Sequence, residues 1–184
     1  MKKHVILLIP HTDYNQAEYE QVKQILTDHN IDTKTASTMK GTAAAYTPDS
    51  YVVAEDKKTT THVDMLIDEI DPLKWDGIFL IGGPGALQHC NIPSVRQLIS
   101  DAHNFDKPIG AIGQATRILA ESGALNNKEA TGWNDDGNLG AIYAQHGAQN
   151  LHESVITDGN LITATGETAA TQFARAIITL INSE

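Results

Sequence analysis

The sequence predicts a three-layer α/β sandwich around a mainly parallel sheet, formed by a single domain spanning residues 1–184. Three observations carry that expectation. Short apolar runs at His4–Ile9, Gly77–Ile81 and Pro108–Ile112 have the length and continuous hydrophobicity of strands covered on both faces. Segments with helical spacing lie between them, so strands and helices alternate along the chain. Finally, 184 residues with 41% hydrophobic and 20% charged content suit one well-filled core rather than disorder or a coiled coil.

The elements follow in order. Met1 to Pro10 has two lysines ahead of an apolar run, as a signal peptide does. That run is too short for one, no small-residue cleavage site follows, and Asp13, Glu18 and Glu20 come soon after. It reads as a buried first strand. From Asn15 or Gln16 to His29, Tyr19, Val22, Ile25 and Leu26 fall on one helical face, and Asp32–Ala36 is a short second strand. Ala43–Val63, rich in threonine and tyrosine around Pro48-Asp49, suggests a hairpin with an exposed turn. The strand at Gly77 runs into Gly82-Gly83-Pro84-Gly85. Pro93 opens a helix with Val95, Leu98, Ile99 and Ala102 inward. The strand ending at Ile112 turns at Gly113 into a helix from about Gln114 to Ser122, stopped by Gly123. Val155-Ile156 and Leu161–Ala164 flank the hairpin dipeptide Asp158-Gly159, and a last helix covers about Thr168–Asn182.

Charge and cysteine count narrow the function. Thirteen basic against 23 acidic residues give a net charge of −10, which opposes nucleic acid and anionic membrane surfaces. No apolar run approaches the roughly 20 residues that span a bilayer. The single cysteine, Cys90, forms no internal disulfide and excludes a Cys-rich zinc site. The eight histidines show no paired metal spacing, so no metal is expected. The expected location is the cytoplasm.

Ligands of such a sandwich bind at the carboxyl ends of its strands, which puts the Gly82 loop and the Gly113 turn on one functional edge. Gly82-Gly83-Pro84-Gly85 is neither G-x-G-x-x-G nor a P-loop, so no nucleotide cofactor is expected. Its Gly82 and Gly83 amides either face an anion or developing oxyanion, or the segment is simply a tight turn. Lys107–Ala115 is an apolar strand entering a helix through a sharp turn, the shape of a nucleophile elbow. Glycine at 113 removes any covalent attack from that position. Cys90, beside His89, is either a replacement nucleophile or a small packed residue. Trp133 and Asn134 either form a pocket rim or belong to a polar loop with one packed indole.

Four blocks resemble the ThiJ/PfpI superfamily, in its order and over nearly the whole chain. They are Trp75–Gly85, Lys107–Ile112, Leu119–Leu125 and Val155–Ala164. The superfamily includes the Parkinson-associated deglycase, bacterial glyoxalase relatives and archaeal intracellular peptidases. The resemblance implies a flavodoxin-like fold of the class I glutamine-amidotransferase type, and a homodimer. It also implies a cysteine after Ala111-Ile112, often followed by histidine, where this chain has Gly113 and Gln114. The family's acidic residue early in the first helix matches Glu18, with Glu20 as the alternative register.

Two functions follow from the resemblance. One is non-covalent binding of a small carbonyl or anionic metabolite by Glu18, the Gly82 and Gly83 amides and the helix start at Gln114, in a stress-related or regulatory role. There Glu18 could also serve as a general acid/base on a water in the vacated cysteine space. The other is a glyoxalase, deglycase or amidase/peptidase. That requires cysteine at 113 in the native gene, or water or Cys90 in its place. Redox sensing by an elbow cysteine is not open to Gly113.

Overall fold

The computed structural model describes residues 2–48 and 59–183. Its first half contains β1 (His4–Leu8), β2 (Thr12–Tyr14), α1 (Gln16–Asp28), β3 (Asp32–Ser37), β4 (Gly41–Ala45), β5 (Thr60–Val63), β6 (Met65–Leu66) and β7 (Gly77–Leu80). The second half contains α2 (Pro93–Asn104), β8 (Ile109–Ile112), α3 (Thr116–Glu121), β9 (Glu129–Ala130) and α4 (Leu139–Gln145). It closes with β10 (Gln149–Asn150), β11 (Val155–Asp158), β12 (Leu161–Ala164) and α5 (Ala170–Asn182).

Seven strands form the central sheet in the order β11-β12-β8-β7-β1-β3-β6, all parallel except β11. The expected mainly parallel α/β sandwich is therefore what the chain forms. Strand β1 explains why. Successive side chains of a strand point to opposite faces. Val5, Leu7 and Ile9 thus enter one core with Tyr19, Val22, Phe79, Phe173 and Ile177. Ile6 and Leu8 enter the other with Ile78, Leu80, Val95, Ile99 and Ile118. A run without polar residues is what a strand needs when helices cover both of its faces.

The expected helices and strands are found with boundaries shifted by a few residues. The hairpin expected over Ala43–Val63 has antiparallel arms β4 and β5, while Asp49 and Tyr51–Val53 lie outside the described residues. The late hairpin turns at Gly159, whose φ of +65° suits the Asp158-Gly159 dipeptide. Two expectations need correction. The helix after Gly113 does not start at Gln114: Gly113–Ala115 is a 3₁₀ turn, and α3 follows from Thr116. The sequence reading also left out α4, which lies between the loop at Trp133 and β10.

The carboxyl ends of β1, β7, β8 and β12 reach the same edge of the sheet. They lead into Pro10-His11, Gly82-Gly83, Gly113 and Thr165-Gly166. The start of α1 lies against that edge, fixed by the Asn15 amide N–H donating to the Gly82 carbonyl at 2.9 Å. No helix among the described residues is long and apolar enough to cross a membrane.

Candidate functional site

The site is built where three of these strand ends meet the first turn of α1. Asn15 caps that helix: its side-chain oxygen accepts from the Glu18 amide at 3.1 Å. The cap sets the direction in which Glu18 leaves the first turn. Glu18 is only 2% exposed, and its Oε2 accepts from the Gly82 amide at 2.8 Å. Burial pushes its carboxyl up to about 7; the Gly82 amide partly opposes this, and the charge of Glu167 adds to it. Burial thus favours the protonated form of Glu18 far more than it would for an exposed glutamate.

Gly113 forms the elbow. Its φ of +64° lies in the left-handed region, where a residue with a Cβ is strained. Its carbonyl accepts from the Thr116 hydroxyl at 2.9 Å and the Trp133 amide at 3.4 Å. A Cβ at position 113 would stand 2.6 Å from Glu18 Oε1. At Gly82 a Cβ would stand 2.7 Å from the Ile112 carbonyl oxygen and 2.8 Å from Glu18 Oε2. At Gly82 glycine is demanded by close approach to the Ile112 carbonyl, whereas at Gly113 a side chain would have to displace the Glu18 carboxyl.

Gly166, which follows β12, closes the group from a third side. A Cβ there would lie 3.7 Å from Glu18 Oε1. The sequence reading missed Gly166 and Glu167. Their signal was the one that marked Gly82 and Gly113, a glycine just past a short apolar strand.

A cavity of about 340 Å³ opens beside this cluster. Asn15, Gln16, Ala17, Tyr46, Pro48 and Glu167 line it, so it lies over the residues flanking Glu18 in α1 and beyond Gly166. A second cavity, of about 330 Å³, is lined by Thr131, Trp133, Asn134, Asp135, His152 and Thr165, among others.

Several site expectations change. The Gly82 amide is committed to Glu18, so it is not a free oxyanion donor. Gln114 stands in the 3₁₀ turn rather than at a helix start, and the six residues of α3 align few peptide dipoles. Trp133 and Asn134 line a different cavity from the one beside Glu18. The Trp133 indole N–H donates to Asp135 at 3.1 Å, and Asn134 Oδ1 accepts from the Leu139 amide at 2.9 Å, anchoring the start of α4. The Arg117 guanidinium lies 5.2 Å from the Trp133 ring centre and grips Asp136 through two hydrogen bonds of 2.6 and 2.9 Å. Cys90 is 1% exposed in the core with Val95 and Ile118, and burial pushes its thiol up to about 12. Both features oppose a nucleophile.

The model of the DJ-1/PfpI family matches residues 3–180. The chain belongs to the DJ-1/PfpI family. Among solved structures, the ThiJ/PfpI domain protein from Brachyspira murdochii superimposes with a TM-score of 0.85 at 24% identity, covering 100% of this chain and 99% of that one. Drosophila melanogaster DJ-1beta does so with a TM-score of 0.80 at 20% identity, covering 98% of this chain and 91% of its own. Those likenesses show the DJ-1/PfpI fold. Among curated sequences, the uncharacterized protein MJ0967 of Methanocaldococcus jannaschii is 24% identical over 184 residues, 96% of this chain and 82% of its own length. Protein DJ-1 homolog B of Arabidopsis thaliana is 29% identical over 132 residues, 70% of this chain and 29% of its own length.

Proposed function

We propose that this DJ-1/PfpI chain binds a small, neutral carbonyl metabolite without covalent attachment, beside Glu18 at the Gly113 elbow. The observation that carries the proposal is the elbow itself. Position 113 has no side chain, and the Glu18 carboxyl stands where one would begin. Cys90 is 1% exposed, with its thiol pushed up by burial, and does not replace it. What remains is a buried carboxyl whose burial favours the protonated form, a donor set behind the cavity lined by Asn15, Gln16, Ala17 and Glu167.

Electrostatics select between the two ligand classes that the sequence left open. Glu167 lines the 340 Å³ cavity and disfavours an added negative charge there, which argues for a neutral carbonyl over a carboxylate or phosphate. Binding without turnover suits a regulatory or stress-related role.

Two measurements test this. Saturation-transfer NMR with dihydroxyacetone and with pyruvate should show contact with the neutral probe alone, weakened in Glu18→Gln. Conversion of methylglyoxal to lactate, in buffer without thiols, should be absent in the protein as it stands. Turnover there would overturn the binding-only reading and show a cysteine-independent mechanism. Turnover confined to Gly113→Cys would show a catalytic scaffold that lacks only its nucleophile.

A further inference from the structure

Two histidines not used by the Glu18 site meet at its outer margin. His11 lies in the connection between β1 and β2, and His89 in the π-helical turn Ala86–Cys90 that follows the glycine loop. They are far apart in sequence, yet the pairing of β1 with β7, Leu8 beside Leu80, brings their connections together. Gly85 tightens the approach, since a side chain there would collide with the Thr12 carbonyl. The sheet therefore imposes the meeting of the two rings.

The imidazole centroids are 4.4 Å apart, and their planes are inclined at 56°. Two imidazoles on one metal, with metal–nitrogen bonds of about 2.0–2.1 Å, place their ring centres about 4.5–5 Å apart between square and tetrahedral coordination angles. The observed 4.4 Å falls just short of that span, next to its right-angle end. His11 is also oriented: its Nδ1 meets the Thr38 hydroxyl oxygen at 3.0 Å. With Nδ1–H donating to that oxygen, Nε2 keeps its lone pair, the arrangement by which an outer partner fixes a metal-binding histidine.

We propose that His11 and His89 form a two-imidazole site for a divalent transition-metal ion. The donor set selects the class of ion: imidazole suits Zn²⁺, Ni²⁺ and Cu²⁺, whereas Mg²⁺ and Ca²⁺ require oxygen ligands. Among the described residues no group of three or more His, Cys, Asp or Glu could hold a metal, so water completes the coordination. A bound ion would tie the β1–β2 connection to the turn after Gly82, the residue whose amide holds Glu18.

Calorimetric titration of the chelator-treated protein with Zn²⁺ tests the assignment. One saturable equivalent is expected, weakened at least tenfold in His11→Ala and in His89→Ala. Thr38→Val, which removes only the positioning hydroxyl, should weaken it about tenfold with the fold intact. His152→Ala, in an exposed loop, should bind like the unaltered protein. A measurement on the unaltered chain does not depend on whether the variants fold: Zn²⁺ should shift the imaged imidazole nitrogens of His11 and His89 in long-range ¹H–¹⁵N spectra and leave the other six histidines in place. No saturable binding, or binding retained in both alanine variants, would overturn the site and leave the pair as ring packing.

Discussion

The Glu18 carboxyl fills the volume that a side chain on Gly113 would occupy: a Cβ at 113 would stand 2.6 Å from Glu18 Oε1. Two costs therefore coincide in Gly113→Ala. The left-handed backbone costs about 1–2 kcal/mol once a Cβ is present, and Glu18 must be pushed from the Gly82 amide that satisfies it. Urea denaturation should show a loss of about 2–4 kcal/mol. In a Glu18→Ala background the same change should cost less, by a coupling of about 0.5–3 kcal/mol. Equal costs in both backgrounds would show that the carboxyl does not share the elbow's space.

Protonation of Glu18 makes stability depend on pH in an unusual direction for a carboxylate. Its folded value, about 7, lies above the ordinary 4.5. Between these values the folded state holds the proton that the unfolded state releases, so stability falls as pH rises. Glu18's contribution is complete below about 4.5 and is lost as pH passes 7. The span corresponds to roughly 3–4 kcal/mol. Glu18→Gln keeps an acceptor for the Gly82 amide without the charge. It should flatten the profile and be more stable than the unaltered protein at pH 8, as read from urea midpoints across pH. A profile unchanged by the substitution would remove Glu18 as its cause.

Cys90 should behave as a core residue. With the thiol buried and pushed up to about 12, thiolate is scarce at neutral pH and reagents lack access. Ellman's reagent should leave it unmodified in the native protein over hours and label it fully in denaturant. Prompt native labelling would reopen it as a replacement nucleophile.

Much of this architecture was legible because single residues decide it. The unbroken apolar run at Val5 demands cover on both faces, Asp158-Gly159 specifies a tight hairpin, and glycine after Ile112 marks a turn that other residues resist. The rest depends on contacts between distant residues. Helix α4 has seven residues, with Leu139 and Tyr143 buried, too short for periodicity to announce, and its start is held by Asn134. The meeting of His11 with His89 and the closing of Gly166 over Glu18 arise from strand order. Trp133 and Asn134, a pocket rim or a polar loop on the sequence alone, line a cavity apart from the one beside Glu18. Their bonds to Asp135 and Leu139 show the same residues organising that loop.

Arg117 is the residue on which that loop turns. It is buried at the start of α3, holds Asp136 through both guanidinium nitrogens, and covers the Trp133 ring. Lysine offers one point charge in place of the planar fork, so Arg117→Lys should lose both the bidentate grip and the stacking. The guanidinium holds the Asp136 carboxyl well below the usual carboxylate range. Its contribution to stability is therefore present above the ordinary aspartate value and is lost only as pH falls through the depressed one. Arg117→Lys and Asp136→Asn should both lower the thermal midpoint at neutral pH and alter the emission of Trp133, with Trp75→Phe as the background that isolates it. Because the Trp133 amide also reaches the Gly113 carbonyl, a freed loop should loosen the elbow, read as faster amide exchange at Trp133. If emission and exchange stayed unchanged in both variants, the grip on Asp136 would be surface decoration, and the elbow would owe its shape to Gly113 and Glu18 alone.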